Sequence, residues 1–169
     1  KKTILIDGDL RKPVIHKVFN TENKIGLTHY LSGTENKLDS IIHPSGIENL
    51  DVIFNGAIPP NPSELLGSSL MKDLVKDLKN KYEIVLFDAP PVLAVTDSVV
   101  LSSLTDQFIL VVRFGSTDKD SIDLALSSLN NVEKSLTGVV FNDLNQSNTY
   151  YSKSYYSYYQ YYYSENDDK

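Results

Sequence analysis

Five short apolar runs punctuate the chain, at residues 3–7, 50–54, 84–88, 108–112 and 139–141, and most are continuous rather than alternating. A strand with one solvated face carries apolar residues at every second position, whereas a strand covered on both faces does not. The runs therefore predict strands buried on both faces. Between them the period changes: Leu65, Leu66, Leu70, Leu74 and Leu78 fall at helical intervals within 63–79, as do Ile122, Leu126 and Leu129 within 118–132. Strands alternating with helices predict an α/β fold, a mainly parallel sheet flanked by helices.

The punctuation agrees. Gly56-Ala57-Ile58-Pro59-Pro60-Asn61-Pro62 predicts an extended loop, and Pro62-Ser63-Glu64 a helix start with an acidic first turn. Nine of the eleven tyrosines crowd between Tyr150 and Tyr163, at Tyr150, Tyr151, Tyr155, Tyr156, Tyr158, Tyr159, Tyr161, Tyr162 and Tyr163, among Ser, Asn and acidic residues. With no aliphatic residue beyond Gln146, that stretch has no face to bury. One folded domain over 1–145 and a disordered, tyrosine-rich tail over 146–169 are expected. Such a tail, taken alone, also reads as a sticky low-complexity segment.

The formal charge of −6 argues against nucleic acid or anionic lipid as a partner held through net charge. The absence of cysteine excludes disulfides, thiolate metal sites and a cysteine nucleophile, and His16, His29 and His43 lack close metal-ligand spacing. No apolar run approaches the roughly 20 residues that span a bilayer.

Chemistry enters at two strand ends. Ile4-Leu5-Ile6-Asp7-Gly8-Asp9-Leu10-Arg11-Lys12-Pro13 delivers two carboxylates, two residues apart, at the C-terminal edge of a predicted strand, and Ile84-Val85-Leu86-Phe87-Asp88 delivers a third. Ligands of open α/β sheets bind at that edge. A few carboxylates suffice for magnesium, which keeps several waters and binds phosphate oxygens. Either Asp taken alone is as readily explained by a turn.

Together these features resemble the bacterial tyrosine kinases, or BY-kinases, of capsular and exopolysaccharide biosynthesis, which are built on the MinD/ParA-like P-loop ATPase fold. The opening run is similar to their Walker A′ motif, residues 84–88 to their Walker B, and Pro59-Pro60-Asn61-Pro62-Ser63-Glu64-Leu65-Leu66 to their PPNP-x-ELL segment. The tyrosine cluster follows in the expected order. The resemblance implies an ATP-dependent tyrosine autokinase in which Asp7 is the catalytic base, Asp9 and Asp88 hold magnesium through waters, and the clustered tyrosines are phosphoacceptors. It implies that Asn142 contacts adenine, although a turn or capping Asn reads equally well, and that Arg113 faces the nucleotide, unless it is a plain surface residue. Arg11 and Lys12 would offset phosphate charge or steer an acidic segment, with a solvated basic turn as the competing reading. The implied partners are a membrane adaptor of polysaccharide assembly, a phosphotyrosine phosphatase and further copies of the chain in a ring. The implied location is the cytoplasm, at the inner face of the membrane through the adaptor.

One departure stands out. The family's Gly-rich loop ending in Gly-Lys-Ser/Thr, which cradles the phosphates, has no counterpart in the sequence. The expectation is therefore a P-loop fold lacking its P-loop strand, truncated before Walker A, poorly stable and inactive by itself, with two unpaired sheet edges. Two alternatives use the same features: a MinD/ParA-type scaffold ATPase that is no kinase, and a regulatory module whose tail another kinase phosphorylates. A haloacid-dehalogenase phosphatase shares Asp-x-Asp after a strand but normally continues with Thr or Val where Arg11 stands.

Overall fold

The computed structural model describes residues 1–130 and 136–144; the tyrosine-rich segment and the last residues of the helix expected over 118–132 lie outside them. In chain order the strands are β1 (Thr3–Asp7), β2 (His43–Pro44), β3 (Leu50–Ile53), β4 (Ile84–Asp88), β5 (Phe108–Arg113) and β6 (Leu136–Asn142). The α-helices are α1 (Ile15–Val18), α2 (Leu27–Leu31), α3 (Pro62–Leu66), α4 (Ser69–Lys81), α5 (Asp97–Ser102) and α6 (Lys119–Asn130). β1 runs parallel between β3 and β4, and β2 adds antiparallel to β3, giving the order β2-β3-β1-β4. β5 and β6 form a separate parallel pair.

β1 sits at the centre because its residues can be dry on both sides: Ile4 and Ile6 are fully buried, as are Val52 and Ile53 on β3. The core closes over them with Leu10, Leu27, Ile41, Leu66 and Leu101 and with the stripe Met71, Leu74, Val75 and Leu78 of α4. Burying each such side chain contributes roughly 1.5–3 kcal/mol, so α4 is the main clamp on this sheet. Its end returns the chain to β4 through Tyr82, whose hydroxyl donates to Asp51 Oδ2 at 2.8 Å.

Two expectations need correction. The helix expected over 63–79 is two helices, because Gly67 ends the first and Ser68 starts the second. The Ser68 hydroxyl donates to the Leu65 carbonyl at 2.7 Å and accepts the Met71 amide at 3.2 Å, satisfying groups that a continuous helix would have used internally. The second correction concerns burial. β4 exposes Ile84 and Leu86 while Val85 and Phe87 pack on the core, and β5 exposes Ile109 and Val111 while Val112 is buried. Val140 and Phe141 of β6 are exposed as well. Among the described residues β4 pairs with β1 alone and β5 with β6 alone. Each thus keeps one unpaired edge, and one face of each meets solvent.

Apolar surface of this kind binds hydrophobic dyes. The 169-residue chain is expected to enhance the fluorescence of anilinonaphthalene sulfonate, and a Leu86→Ser, Ile109→Thr, Val111→Thr variant to lose most of that signal. Equal dye binding by the two proteins would contradict the exposure of this face.

Candidate active site

The site begins with register. Asp7 and Asp88 end adjacent parallel strands and are cross-strand partners, and the Gly8 amide donates to the Asp88 carbonyl at 2.8 Å. Residue 8 has to be glycine: a Cβ there would stand 2.7 Å from the Asp88 carbonyl oxygen and 2.9 Å from Leu101 Cδ1. The missing side chain lets the β1 exit lie against the end of β4.

Asp7 is fully buried. Its Oδ2 accepts the Ile15 amide at 3.3 Å, and its Oδ1 is buried with no partner. Burial chiefly, reinforced by the negative charges of Asp88 and Asp9, pushes its pKa up to about 6, against the opposing pull of the Ile15 amide. Asp88 is raised too, by burial and then by the charge of Asp9. Asp9 caps the turn that follows β1: its Oδ1 accepts the amides of Arg11 at 3.0 Å and Lys12 at 2.9 Å. From the other side Asn55, fully buried just beyond β3, donates through Nδ2 to the Asp9 carbonyl at 3.1 Å. The Asn55 carbonyl in turn accepts the Thr28 amide and hydroxyl at the start of α2.

These carboxylates suit a hydrated divalent cation. Asp7 Oδ1 is an orphaned acceptor, and the raised pKa values of Asp7 and Asp88 mark negative charge lacking compensation. Among the described residues no three acidic, histidine or cysteine side chains close a cage by themselves. That donor set fits magnesium, which takes one or two carboxylates and fills its octahedron with water and phosphate oxygens.

Arg113 and Asn142 come together at the ends of β5 and β6, where they are register partners. With Val111 and Asp143 they line a groove of about 360 Å³. Arg113 is ion-paired to Asp143, its Nε donating to Oδ2 at 2.7 Å, and Asn142 Oδ1 accepts the Asp143 amide at 2.9 Å. Asp143 takes the left-handed backbone conformation, φ 61°. Arg11 is committed elsewhere, to Asp97 through Nε at 2.8 Å and Nη2 at 3.1 Å. That hydrogen bond, foremost, holds the Asp97 carboxyl below its ordinary range. The clustered tyrosines lie outside the described residues. Reading the sequence alone missed Asn55, Asp97 and Asp143: each reads locally as a turn or helix-start residue, and the partner of Asp97 is 86 positions away.

No family model matches the chain. It is 40% identical over 142 residues to the tyrosine-protein kinase YwqD of Bacillus subtilis, covering 84% of this chain and 60% of that protein. The structure superposes on the kinase domain of VpsO with a TM-score of 0.80 at 36% identity, covering 85% of this chain and 71% of that domain. The chain belongs to the bacterial tyrosine-kinase family. MinD of Pyrococcus horikoshii, in complex with magnesium and ADP, shares the fold at a TM-score of 0.62 and 22% identity. The architecture is thus that of the MinD/ParA P-loop ATPases, as the sequence implied. Within the family, the chain spans about three fifths of the length of YwqD. It includes Asp7, Asp9 and Asp88 but no Gly-Lys-Ser/Thr sequence.

Proposed function

We propose that the protein carrying this chain is an ATP-dependent protein-tyrosine autokinase that phosphorylates the cluster from Tyr150 to Tyr163 and thereby regulates the synthesis and export of a capsular or extracellular polysaccharide. The observation that carries the reading is the in-register pair Asp7 and Asp88 at adjacent strand ends, with one Asp7 oxygen buried and unpartnered. A positioning ATPase needs carboxylates at this edge as well, but has no use for nine tyrosines in fourteen residues.

In this reading Asp9 and Asp88 hold magnesium through water, and Asp7 faces the acceptor phenol. Magnesium bound there would neutralise phosphate charge and orient the transferred group. As the tyrosine oxygen bonds to the γ-phosphorus and the bond to the departing ADP breaks, the phenolic proton passes to Asp7 Oδ1. A phenol has an ordinary pKa near 10, so the carboxylate acts as the proton loosens in the transition state. Its burial helps, since a carboxylate stripped of water is a stronger proton acceptor than a solvated one. Asn142 would contact adenine from the groove at the end of β6, with Arg113 beside it. Arg11 would act from the turn that carries Asp9. No Gly-Lys-Ser/Thr run in this sequence supplies the phosphate cradle that such a transfer uses.

Each added phosphate brings about −1.5 to −2 charges to the tail near neutral pH. Repeated phosphorylation would load a neighbour-to-neighbour ring of copies with like charge and loosen it. A membrane adaptor would recruit and activate the kinase at the cytoplasmic face, and a phosphotyrosine phosphatase would reset it. Among the described residues no helix is long and apolar enough to cross a membrane. Incubating the intact protein with magnesium and ATP is expected to place phosphate on these tyrosines. Their remaining unmodified in the presence of the activating partner would remove the reading.

A further inference from the structure

Arg11 has a fixed position that a solvated cation would not need. Its two hydrogen bonds meet both oxygens of Asp97, which is fully buried at the first position of α5. Ser63, at the start of α3, donates to Asp97 Oδ1 at 2.5 Å and lies 3.4 Å from Arg11 Nη2. Three segments distant in sequence therefore converge on one carboxylate: the turn after β1, the helix start after the Pro-rich loop, and the helix after β4. Only the carboxylate end of this pair is buried, the Arg11 side chain remaining 42% exposed, yet stripping Asp97 of water still offsets part of the attraction, and apolar packing would join three segments as well. What it supplies is direction, through a two-point guanidinium–carboxylate geometry.

That direction is aimed at the site. Arg11 lies two residues beyond Asp9, and its own amide is one of the two that grip the Asp9 carboxylate. Fixing the Arg11 side chain fixes the turn, and the turn fixes Asp9. On the other side, the Ser98 hydroxyl of α5 donates to the Pro90 carbonyl, two residues beyond Asp88. Asp97 is thus referenced to the end of β4, while its partner is referenced to Asp9.

We propose that Asp97 is a positioning residue: through Arg11 it ties the Asp9 turn to the segment leaving β4, so that Asp9 and Asp88 keep the spacing a hydrated magnesium ion requires. This rests on the kinase reading above, and it assigns Arg11 to the geometry of the metal corner in place of direct contact with phosphate.

The test uses the full-length protein and the Asp97→Asn variant, which removes the charge while leaving half-exposed Arg11 free to reach water. Amide hydrogen exchange across residues 8–13 is expected to quicken about tenfold or more in the variant, with α4 unchanged. In tail phosphorylation, turnover is expected to fall about tenfold and the magnesium concentration for half-maximal rate to rise severalfold, with the KM for ATP at saturating magnesium little changed. Arg11→Lys, which keeps the charge but loses the two-point geometry, is expected to show the same magnesium dependence. The proposal is overturned if exchange in 8–13 is unaltered, if α4 quickens equally, or if turnover falls with no change in magnesium dependence. If the wild type itself phosphorylates no tyrosine the kinase reading fails, whereas hydrogen exchange still decides whether Asp97 holds the turn.

Discussion

Asp7→Asn is expected to make the metal-free protein more stable while abolishing its tyrosine phosphorylation. The wild-type carboxyl is fully buried, has one unpartnered oxygen, and titrates at about 6 where the ordinary value is 3.8. A folded-state pKa above the unfolded one means that the native state holds the proton more tightly. The stability this contributes is complete below pH 3.8 and is lost as pH rises through about 6. A shift of this size corresponds to roughly 2–3 kcal/mol at neutral pH, or about 5–10 °C in Tm for a domain of this size. Asn can still accept the Ile15 amide and carries no charge. The gap in Tm between variant and wild type, measured in chelator, is therefore expected to be near zero around pH 4 and to open through pH 6 to its full size by pH 7.5. A gap independent of pH, or a less stable variant at pH 7.5, would show that Asp7 is not an uncompensated buried charge. Phosphorylation is expected to drop by about a thousandfold or more, within the range that loss of a general base and its electrostatics produces. Stability and activity moving in opposite directions is the signature of a group kept for chemistry.

Gly8→Ala has the second large effect, and it acts through backbone. The new Cβ would sit 2.7 Å from the Asp88 carbonyl oxygen, which is itself bonded to the Gly8 amide, and 2.9 Å from Leu101. Leu101 can yield by a change of rotamer; the carbonyl can yield only if the strand ends separate. Overpacking of this kind costs about 1–3 kcal/mol. A separation on the order of 1 Å between Asp7 and Asp88 is expected to cost about a hundredfold in turnover. Urea midpoints and tail phosphorylation of Gly8→Ala, beside Gly138→Ala where nothing lies within 4 Å of the added atom, check both numbers. Adding Leu101→Ala is expected not to restore activity; restoration would place the clash on the side chain and not on the strand ends.

What the sequence made legible follows from what is local. Continuous apolar runs marked the strands because burial is written into composition at each position, and Asp7 and Asp88 were visible because both follow such runs directly. The break at Gly67-Ser68 was also written locally, as a glycine followed by a capping serine, but five leucines at helical spacing masked it. Two things were not local. Whether a parallel strand is covered depends on its neighbours, so Ile84 and Ile109 look as buried in sequence as Ile4 and yet are exposed. The supports of the site, Asn55 under Asp9 and Asp97 under Arg11, join residues 46 and 86 positions apart and leave no periodic trace.

The most direct test of the account is phosphotyrosine mapping by mass spectrometry of Tyr150 to Tyr163 in the full-length protein from its own cells, wild type against Asp7→Asn at matched abundance. Phosphate on several of these tyrosines in the wild type, absent from the variant, is the predicted result. Equal phosphate in both would make the tail another kinase's substrate and would contradict the catalytic role given to the carboxylate at the end of β1.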